Sequence, residues 1–246
     1  KKNNISSIIS GSYQFEALNK GNIIQKFWHK EKNLIAKKIL KKYNSYFVLD
    51  AGSGAGNFFY INKNDFKIIS IDKNFYSCLF IKKNGGKSIQ CDLCYLPFKK
   101  NIFDTIVSQD VIEHLNNIQS DKMMDEFLKI LKNEGLIFIV TPNYSSIWIL
   151  VEKAVDLFNL LPSLEQQHFQ KFNIPFLEKL KKQSLIKLET GSFFLLSPIL
   201  SIFSYNIASK FSIFELKKIR FGALCYIVFK NKISDSIKNS IINNNN

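Results

Sequence analysis

Short apolar runs alternate with helix-like stretches through the middle of the chain. Residues 46–49 form an apolar run of strand length that ends at Asp50, and residues 67–71 form a second run that ends at Asp72. Uninterrupted runs of this length are typical of strands that are buried on both faces of a sheet. Because strands and helices alternate over residues 46–140, we predict a parallel sheet with helices on both faces.

Two amphipathic helices follow from the spacing of apolar residues. The first precedes the first strand, and its apolar face consists of Ile24, Trp28, Ile35 and Ile39. The second shows the spacing i, i+3, i+4, i+7 at Met124, Phe127, Leu128 and Leu131. This spacing predicts a helix over residues 121–131, with Ser120 as its N-cap and Gly135 as its stop.

The alternation stops after Pro142. Residues 146–161 have a helical period, Asn173-Ile174-Pro175 predicts a helix start, and residues 185–188 and 222–229 predict strands. Residues 191–209 carry no charge. Pro198 and Asn206 argue against a membrane span there, so we expect helices that cover a substrate pocket. A contact with a membrane surface, helped by flanking lysines, is the alternative.

The loop after the first strand is the clearest candidate for chemistry. In Asp50-Ala51-Gly52-Ser53-Gly54-Ala55-Gly56, glycine stands at every second position after Gly52, and a helix follows. Glycine allows the backbone to approach a ligand closely, and the amides of a helix start present donors to it. Asp72, at the end of the second strand, has the position at which an acidic residue meets ribose hydroxyls in nucleotide-binding units.

The motif G-x-G-x-G preceded by an acidic residue resembles the first motif of the class I S-adenosylmethionine-dependent methyltransferases. Further segments resemble this family in the same order: residues 89–93 with 96–98, 103–108, 110–115 and 131–143. The resemblance covers roughly residues 25–230. It implies a Rossmann-like, doubly wound α/β fold with a mostly parallel seven-stranded sheet, an antiparallel last strand and a helical insertion on the substrate side.

This resemblance also implies a division of the chain and a cofactor site. Residues 1–44 would be a helical cover, 45–144 the cofactor-binding core, 145–230 the insertion with the last two strands, and 231–246 a disordered tail. S-adenosylmethionine would be the cofactor and S-adenosylhomocysteine the product. Asp50 would hold the amino group of the methionine part, Asp72 both ribose hydroxyls and Asp92 the adenine amino group. The complete predicted cofactor site is Asp50, Ala51, Gly52, Ser53, Gly54, Gly56, Asp72, Lys73, Cys91, Asp92, Leu93 and Gln109.

Four residues are candidates for the substrate side: Trp28, His29, Trp148 and His168. His168 is the candidate general base, because a hydroxyl acceptor must lose a proton and histidine suits that work near neutral pH. Its run Glu165-Gln166-Gln167-His168 is similar to one in relatives from polysaccharide and lipid-linked pathways. A purely structural histidine is the alternative. For Trp28 and His29, the alternatives are a packing anchor and a surface residue, and Glu113-His114 is interpreted as scaffold or cofactor-side packing.

The composition limits the range of partners and metals. The formal net charge is +14, but the basic residues are lysines apart from Arg220. Arginine is the favoured ligand of phosphates and guanines, so nucleic acid is disfavoured as a partner. The cysteines, Cys78, Cys91, Cys94 and Cys225, are too few and too scattered for a disulfide scaffold. Cys91 and Cys94 lack a second ligand pair, so no metal site is predicted, and a reducing cytoplasmic setting is expected, with contact at the inner face of the membrane as a variant.

The predicted function is methyl transfer from S-adenosylmethionine to a small or lipid- or glycan-linked acceptor, at oxygen or a ring carbon. Ser108-Gln109-Asp110-Val111 stands where amino-group nucleic-acid methyltransferases carry Asn-Pro-Pro-Tyr or Asp-Pro-Pro-Tyr. Two alternatives stay open: an RNA methyltransferase, motivated by the positive charge, and a cofactor-binding partner subunit without its own activity.

Overall fold

The computed structural model describes residues 12–146, 149 and 168–232. The strands are β1 (Phe47–Ala51), β2 (Lys67–Asp72), β3 (Ser88–Gln90), β4 (Phe103–Gln109), β5 (Leu131–Pro142), β6 (Leu185–Phe193) and β7 (Leu224–Asn231). The helices are α1 (Tyr13–Lys20), α2 (Ile23–Lys42), α3 (Asn57–Asn62), α4 (Phe75–Lys83), α5 (Asn117–Ile130), α6 (Ile174–Glu178), α7 (Ser197–Leu200) and α8 (Tyr205–Lys218), and a 3-10 turn spans Ile112–His114.

Within the described residues, the strands form one seven-stranded sheet in the order β3-β2-β1-β4-β5-β7-β6. The pairs β3–β2, β2–β1, β1–β4 and β4–β5 are parallel, whereas β7 runs antiparallel to both β5 and β6. In register, Val48 lies opposite Ile68 on one side and Thr105 on the other. The predicted fold class is therefore confirmed, including the antiparallel last strand. The strand order reverses between β1 and β4, and ligands of such sheets bind at the carboxyl ends beside this point.

Each face of the sheet carries its own apolar core. Successive residues of β5 alternate between the two cores: Phe138 packs with α2, α3 and α8, whereas Ile137 packs with α5 and α6. This alternation follows from the period of two along a strand. Both cores consist mainly of buried side chains, so the central strands are covered on both faces and the site must lie at their ends.

The buried face of α2 differs from the predicted one. Ile35 and Ile39 are buried as expected, but Ile24 is exposed and Phe27 begins the buried stripe. Glu31 is also buried on this face, where its carboxylate accepts hydrogen bonds from Tyr205, Ser209 and Ser212 of α8 at 2.9–3.0 Å. An apolar pattern cannot reveal such a residue, because its burial depends on hydroxyl partners far away in the chain.

The prediction for α5 was wrong at both ends. The helix begins at Asn117 with Asn116 as N-cap, since Asn116 and Gln119 form a capping box with hydrogen bonds of 3.0 Å. Ser120 lies inside the helix and is buried. The helix ends at Ile130 and β5 begins at once, so Gly135 lies within that strand rather than stopping the helix.

Strand limits also differ from the predictions. β3 ends at Gln90, so Cys91, Asp92 and Leu93 belong to the loop that follows it. β6 extends to Phe193 and takes up the start of the uncharged run, because Phe193 is fully buried in the core. The predicted helix start at Asn173 is confirmed, since its side chain accepts from the N–H of Phe176 at 2.9 Å.

Several predictions fall wholly or partly outside the described residues: residues 1–11 of the predicted cover, the helix over 146–161 apart from residues 146 and 149, the position of Trp148, residues 165–167 before His168, and the tail after residue 232. Among the helices of the described residues, none is both long and apolar enough to cross a bilayer.

Candidate active site

The glycine loop turns sharply at the carboxyl end of β1. Gly52, Gly54 and Gly56 have φ angles of 78°, 50° and 83°, in the left-handed region that favours glycine. At Gly52 a side chain is also excluded by space, because an added Cβ would lie 2.3 Å from a methyl carbon of Val111. The N–H groups of Gly52 and Ser53 both donate to the carbonyl of Ile71 at 2.9 Å. The loop is thereby held against β2 and against the segment that follows β4.

Asp72 connects this loop with the end of β2. One of its carboxylate oxygens accepts from the N–H of Gly54 and the other from the N–H of Asn74, both at 2.8 Å. Burial raises the pKa of Asp72, and the two N–H donors partly offset this shift. Each carboxylate oxygen has a second lone pair, so the predicted contacts with two ribose hydroxyls remain chemically available.

Asp50 lies completely buried beneath the loop. Its carboxylate has a long hydrogen bond of 3.4 Å from the Ser70 hydroxyl. Burial, followed by the negative charge of Asp72, raises the pKa of Asp50 to about 7. A cationic ligand beside it would favour the charged form, which is the chemistry expected of a group that holds an ammonium.

Helix α2 closes the methionine end of the predicted site. Lys32 forms an ion pair with Asp110, and the amide of Gln109 donates to the Asn33 side chain at 3.1 Å. A narrow cavity remains between α2 and the glycine loop, and its lining consists of His29, Lys32, Asn33, Asp50, Gly52, Ser53, Asn57, Phe58 and Gln109. Sequence reasoning missed Lys32 and Asn33, because a buried lysine and asparagine within an amphipathic helix give no signal of their own.

The donor set of this cavity fits the polar end of S-adenosylmethionine. In the part of the chain that the structure describes, the buried Ser53 hydroxyl and the Gln109 amide oxygen have no hydrogen-bond partner. Buried polar atoms ordinarily have one, so both could serve a bound amino acid group beside Asp50. Because the cavity is narrow, the side chains of Lys32 and Asn33 must rotate to admit that group.

The predicted adenine side is more exposed. Asp92 accepts from the N–H of Cys94 at 2.9 Å and from Lys73 at 3.3 Å. The hydrogen bond from Cys94 lowers the pKa of Asp92, and Lys73 adds to this against the effect of burial. Leu93 is buried in the apolar core on the α5 side of the sheet, and its packing on the adenine ring stays a prediction. Burial raises the pKa of Cys91 to about 11, so its thiol is neutral at physiological pH.

A second polar cluster lies beyond the carboxyl end of β4. One possible ligand atom each from Glu113, His114 and His168 lies within 4.8 Å of the others. Glu113 is fully buried and accepts from the Thr141 hydroxyl at 2.9 Å, and burial raises its pKa to about 7. His168 is bonded through Nδ1 to the Tyr144 hydroxyl at 2.5 Å. We refer to Glu113, His114 and His168 as the acceptor-side cluster.

Gln170 holds the two halves of the acceptor-side cluster together. Its backbone N–H donates to the carbonyl of Glu113 at 3.1 Å, and its side-chain amide donates to the Leu115 carbonyl and the Ser120 hydroxyl at 2.6 Å. No local pattern in the sequence indicates this contact, because the two segments are far apart along the chain. Glu113-His114 is thus in contact with the predicted base His168, which the interpretation as scaffold did not anticipate.

The other substrate-side candidates lie in different parts of the molecule. Trp28 packs against Phe194 with ring centroids 4.7 Å apart, so it contributes to the core. His29 lines the cofactor cavity instead of lying on the surface, and burial is the main cause that lowers its pKa to about 4. Trp148 lies outside the described residues.

Comparison with known proteins agrees with this fold. Residues 49–139 match the family model described as a methyltransferase domain. The fold is that of S-adenosylmethionine-dependent methyltransferases, which together with this match supports S-adenosylmethionine as the cofactor.

Single proteins match this chain either over part of its length or at low sequence identity. An uncharacterized protein of Methanocaldococcus jannaschii is 33% identical over 126 residues, which are 51% of this chain and 53% of that protein. The match thus spans about half the length of this curated relative. A SAM-dependent methyltransferase from Thermotoga maritima, described as a possible histamine N-methyltransferase, has a TM-score of 0.67 at 14% identity, over 93% of this chain and 98% of its own.

A third protein was solved with the cofactor product. Phosphoethanolamine N-methyltransferase 2 of Haemonchus contortus, in complex with phosphomonomethylethanolamine and S-adenosylhomocysteine, has a TM-score of 0.55 at 18% identity, over 91% of this chain and 60% of its own. At these identities, the two solved structures show the shared fold.

Proposed function

We propose that this protein transfers a methyl group from S-adenosylmethionine to a small or lipid- or glycan-linked acceptor, at oxygen or a ring carbon. The observation that carries the proposal is the acceptor-side cluster, a buried carboxylate with two imidazoles just beyond β4. It adjoins the cofactor site through Asp110, which pairs with Lys32 and whose charge also acts on Glu113. Cofactor and acceptor chemistry would meet at this edge of the sheet.

The bound cofactor supplies a methyl group activated by a positively charged sulfur, so the chain has to position the acceptor and keep water away. Asp50 would hold the amino group of the cofactor and Asp72 its ribose, as predicted. A hydroxyl acceptor must also lose a proton. His168, oriented by Tyr144, is the group that the sequence predicts for this step, and its contact with His114 places a second imidazole beside it.

Exposed apolar residues support an acceptor with an apolar part. They are concentrated around α7, in the segment between α7 and α8, and at the start of α8: Leu196, Ile199, Ile202, Phe203 and Ile207. Phe203 is 83% exposed, and a cluster of this kind indicates a contact surface. We include a peripheral membrane contact in the proposal. Flotation with anionic vesicles that persists at high salt would support an apolar contact. Flotation that is lost at high salt would show that only the charge of the lysines attracts the protein to the vesicles.

Names of the compared proteins point to a second acceptor class. The Thermotoga and Haemonchus proteins are named for N-methylation of small amines. The buried carboxylate of Glu113 favours this candidate, because a buried anion without a full set of partners is suited to an ammonium. Small amines therefore belong in the acceptor panel beside hydroxyl compounds.

The test is transfer of radiolabel from methyl-labelled cofactor to fractionated cell extract. The protein should label the lipid or small-molecule fraction, and Asp72→Ala should lose the signal. Label found only in RNA, with RNA affinity that falls steeply with salt, would establish the RNA alternative instead. Cofactor binding by calorimetry without label in any fraction would favour the non-catalytic partner subunit.

A further inference from the structure

We propose that Glu113, His114 and His168 form a binding site for one divalent transition-metal ion. The three side chains offer one carboxylate oxygen and two imidazole nitrogens that lie within 4.8 Å of one another. Two imidazoles with one carboxylate are a ligand set used by Zn²⁺ and Fe²⁺ sites that keep a position open for another molecule.

The distances require only a small adjustment. An ion with bonds of about 2.0–2.2 Å holds neighbouring ligand atoms roughly 3–3.5 Å apart. His114 is half-buried at the end of the 3-10 turn, and its ring centroid lies 5.0 Å from that of His168. Rotation of the His114 imidazole about its side-chain bonds would narrow the remaining gap, while Tyr144 keeps the ring of His168 in place.

The surrounding side chains orient the ligands as an ion would need. The Thr141 hydroxyl donates to one oxygen of Glu113 at 2.9 Å, which fixes the plane of the carboxylate. Tyr144 is bonded to Nδ1 of His168 at 2.5 Å. If Nδ1 carries the proton and donates to Tyr144, Nε2 presents its lone pair to the ion. Such outer partners, which set the tautomer and the ring direction, accompany most metal-bound histidines.

An unsatisfied carboxylate supplies a second, independent observation. Over the described ranges, the other oxygen of Glu113 is buried and has no hydrogen-bond partner, and the same holds for one oxygen of Asp110 in the preceding turn. Leaving such a buried acceptor unpaired is costly. Lys32 reaches only the other oxygen of Asp110. A cation bound at Glu113 would remove this cost.

The role of the ion rests on the proposed function, whereas its binding does not. At the open position, the ion would hold an acceptor hydroxyl and lower the pKa of that hydroxyl, so that its proton would pass to water and its oxygen would take the methyl group from the sulfonium. His168 would then be a ligand rather than the proton acceptor. The imidazole of His168 would hold the ion, and Tyr144 would position that imidazole.

The test is calorimetric titration of the whole, tag-free chain, stripped with chelator, with ZnCl₂ and with MnCl₂ in the absence of cofactor and acceptor. We expect one saturable site. His168→Gln and the half-buried His114→Gln should each weaken binding at least tenfold, and Tyr144→Phe by roughly tenfold with the stoichiometry retained. His29→Gln is the matched control, because it removes the one other histidine of the chain and should leave the affinity unchanged. Circular dichroism would check that each variant is folded.

Several outcomes would overturn the proposal. A wild-type protein without a one-to-one site, or equal loss in His29→Gln and His168→Gln, would show that the cluster does not bind an ion. Methyl transfer that resists chelator but is lost in His168→Gln would return His168 to the role of general base. Metal binding is measured without cofactor, so its failure and the failure of the proposed methyl transfer are separate results.

Discussion

The two halves of the candidate site are built in different ways. The centre of the cofactor half comes from the ends of adjacent strands β1 and β2 and the loop between β1 and α3, within residues 50–74. Helix α2 and Gln109 complete its wall, and Asp92 lies on its adenine side. The acceptor half joins the 3-10 turn after β4, the end of β5 and residues 168–170, with Gln170 as the link. A local site can be recognised from spacing in the sequence, whereas an assembled site depends on the sheet that brings its parts together.

The largest effect should follow a change in the local half. Gly52→Val should abolish cofactor binding, because the position combines a φ of 78° with a Cβ contact of 2.3 Å to Val111. Gly85→Ala is the control: its φ is 85°, but nothing lies within 4 Å of an added Cβ. Calorimetry with S-adenosylhomocysteine checks both variants. Normal binding by Gly52→Val would show that the loop is only a turn.

A second change tests the electrostatics of the local half through pH. The folded pKa of Asp50 is raised to about 7 from 3.8, so the unfolded chain releases its proton first and the native state loses stability as pH rises from about 4 to 7. Asp50→Asn should therefore be more stable than wild type at pH 8 and gain little near pH 4. The gain at pH 8 should be a few kcal/mol, because each tenfold difference in proton affinity between the folded and unfolded states corresponds to about 1.4 kcal/mol.

Urea unfolding at both pH values measures this difference. Asp65→Asn should behave oppositely, because Lys37 and Lys41 lower the pKa of Asp65 and its contribution is present above the unfolded pKa and lost as pH falls. An Asp50→Asn advantage that does not change with pH would mean that the pKa of this carboxyl is not displaced.

Asp72→Ala should weaken cofactor binding by about 1.5–3 kcal/mol, since the ribose hydroxyls would lose a charged acceptor and Gly54 its hydrogen-bond partner. Asp125→Ala removes a carboxylate from the exposed surface of α5 and should bind the cofactor normally. Titration calorimetry compares the two, and equal affinity of Asp72→Ala and wild type would reject the ribose assignment.

The smallest effect should fall on the assembled half alone. Gln170→Ala removes two hydrogen bonds of 2.6 Å and should lower the free energy of unfolding by about 1–2 kcal/mol. The Gln170→Ala variant should have reduced methyl transfer and unchanged cofactor affinity, because none of the hydrogen-bond partners of Gln170 lies in the glycine loop. Asn84→Ala, which removes one exposed hydrogen bond to Phe80 at the end of α4, is the matched control. A parallel loss of cofactor affinity in Gln170→Ala would contradict the division into two halves.

The same division explains what the sequence could predict. The strand ends at Asp50 and Asp72 and the glycine spacing are contiguous signals, and the fold follows from the alternation of strands and helices. The capping box of Asn116 and Gln119 is also visible in the sequence, but the apolar spacing predicted a later helix start, with Ser120 as N-cap. By contrast, the approach of His168 to Glu113 depends on β5 and on Gln170, and the burial of Lys32 depends on Asp110. No local pattern encodes these pairings.

Helix α2 serves two neighbours with adjacent residues. Successive side chains leave a helix about 100° apart, so Glu31 points to three hydroxyls of α8 while Lys32 points to Asp110. Those buried hydrogen bonds resist any displacement of the helix as a body. One helix thus joins the core to the wall of the cofactor cavity, so a change at Glu31 would alter the position from which Lys32 reaches Asp110.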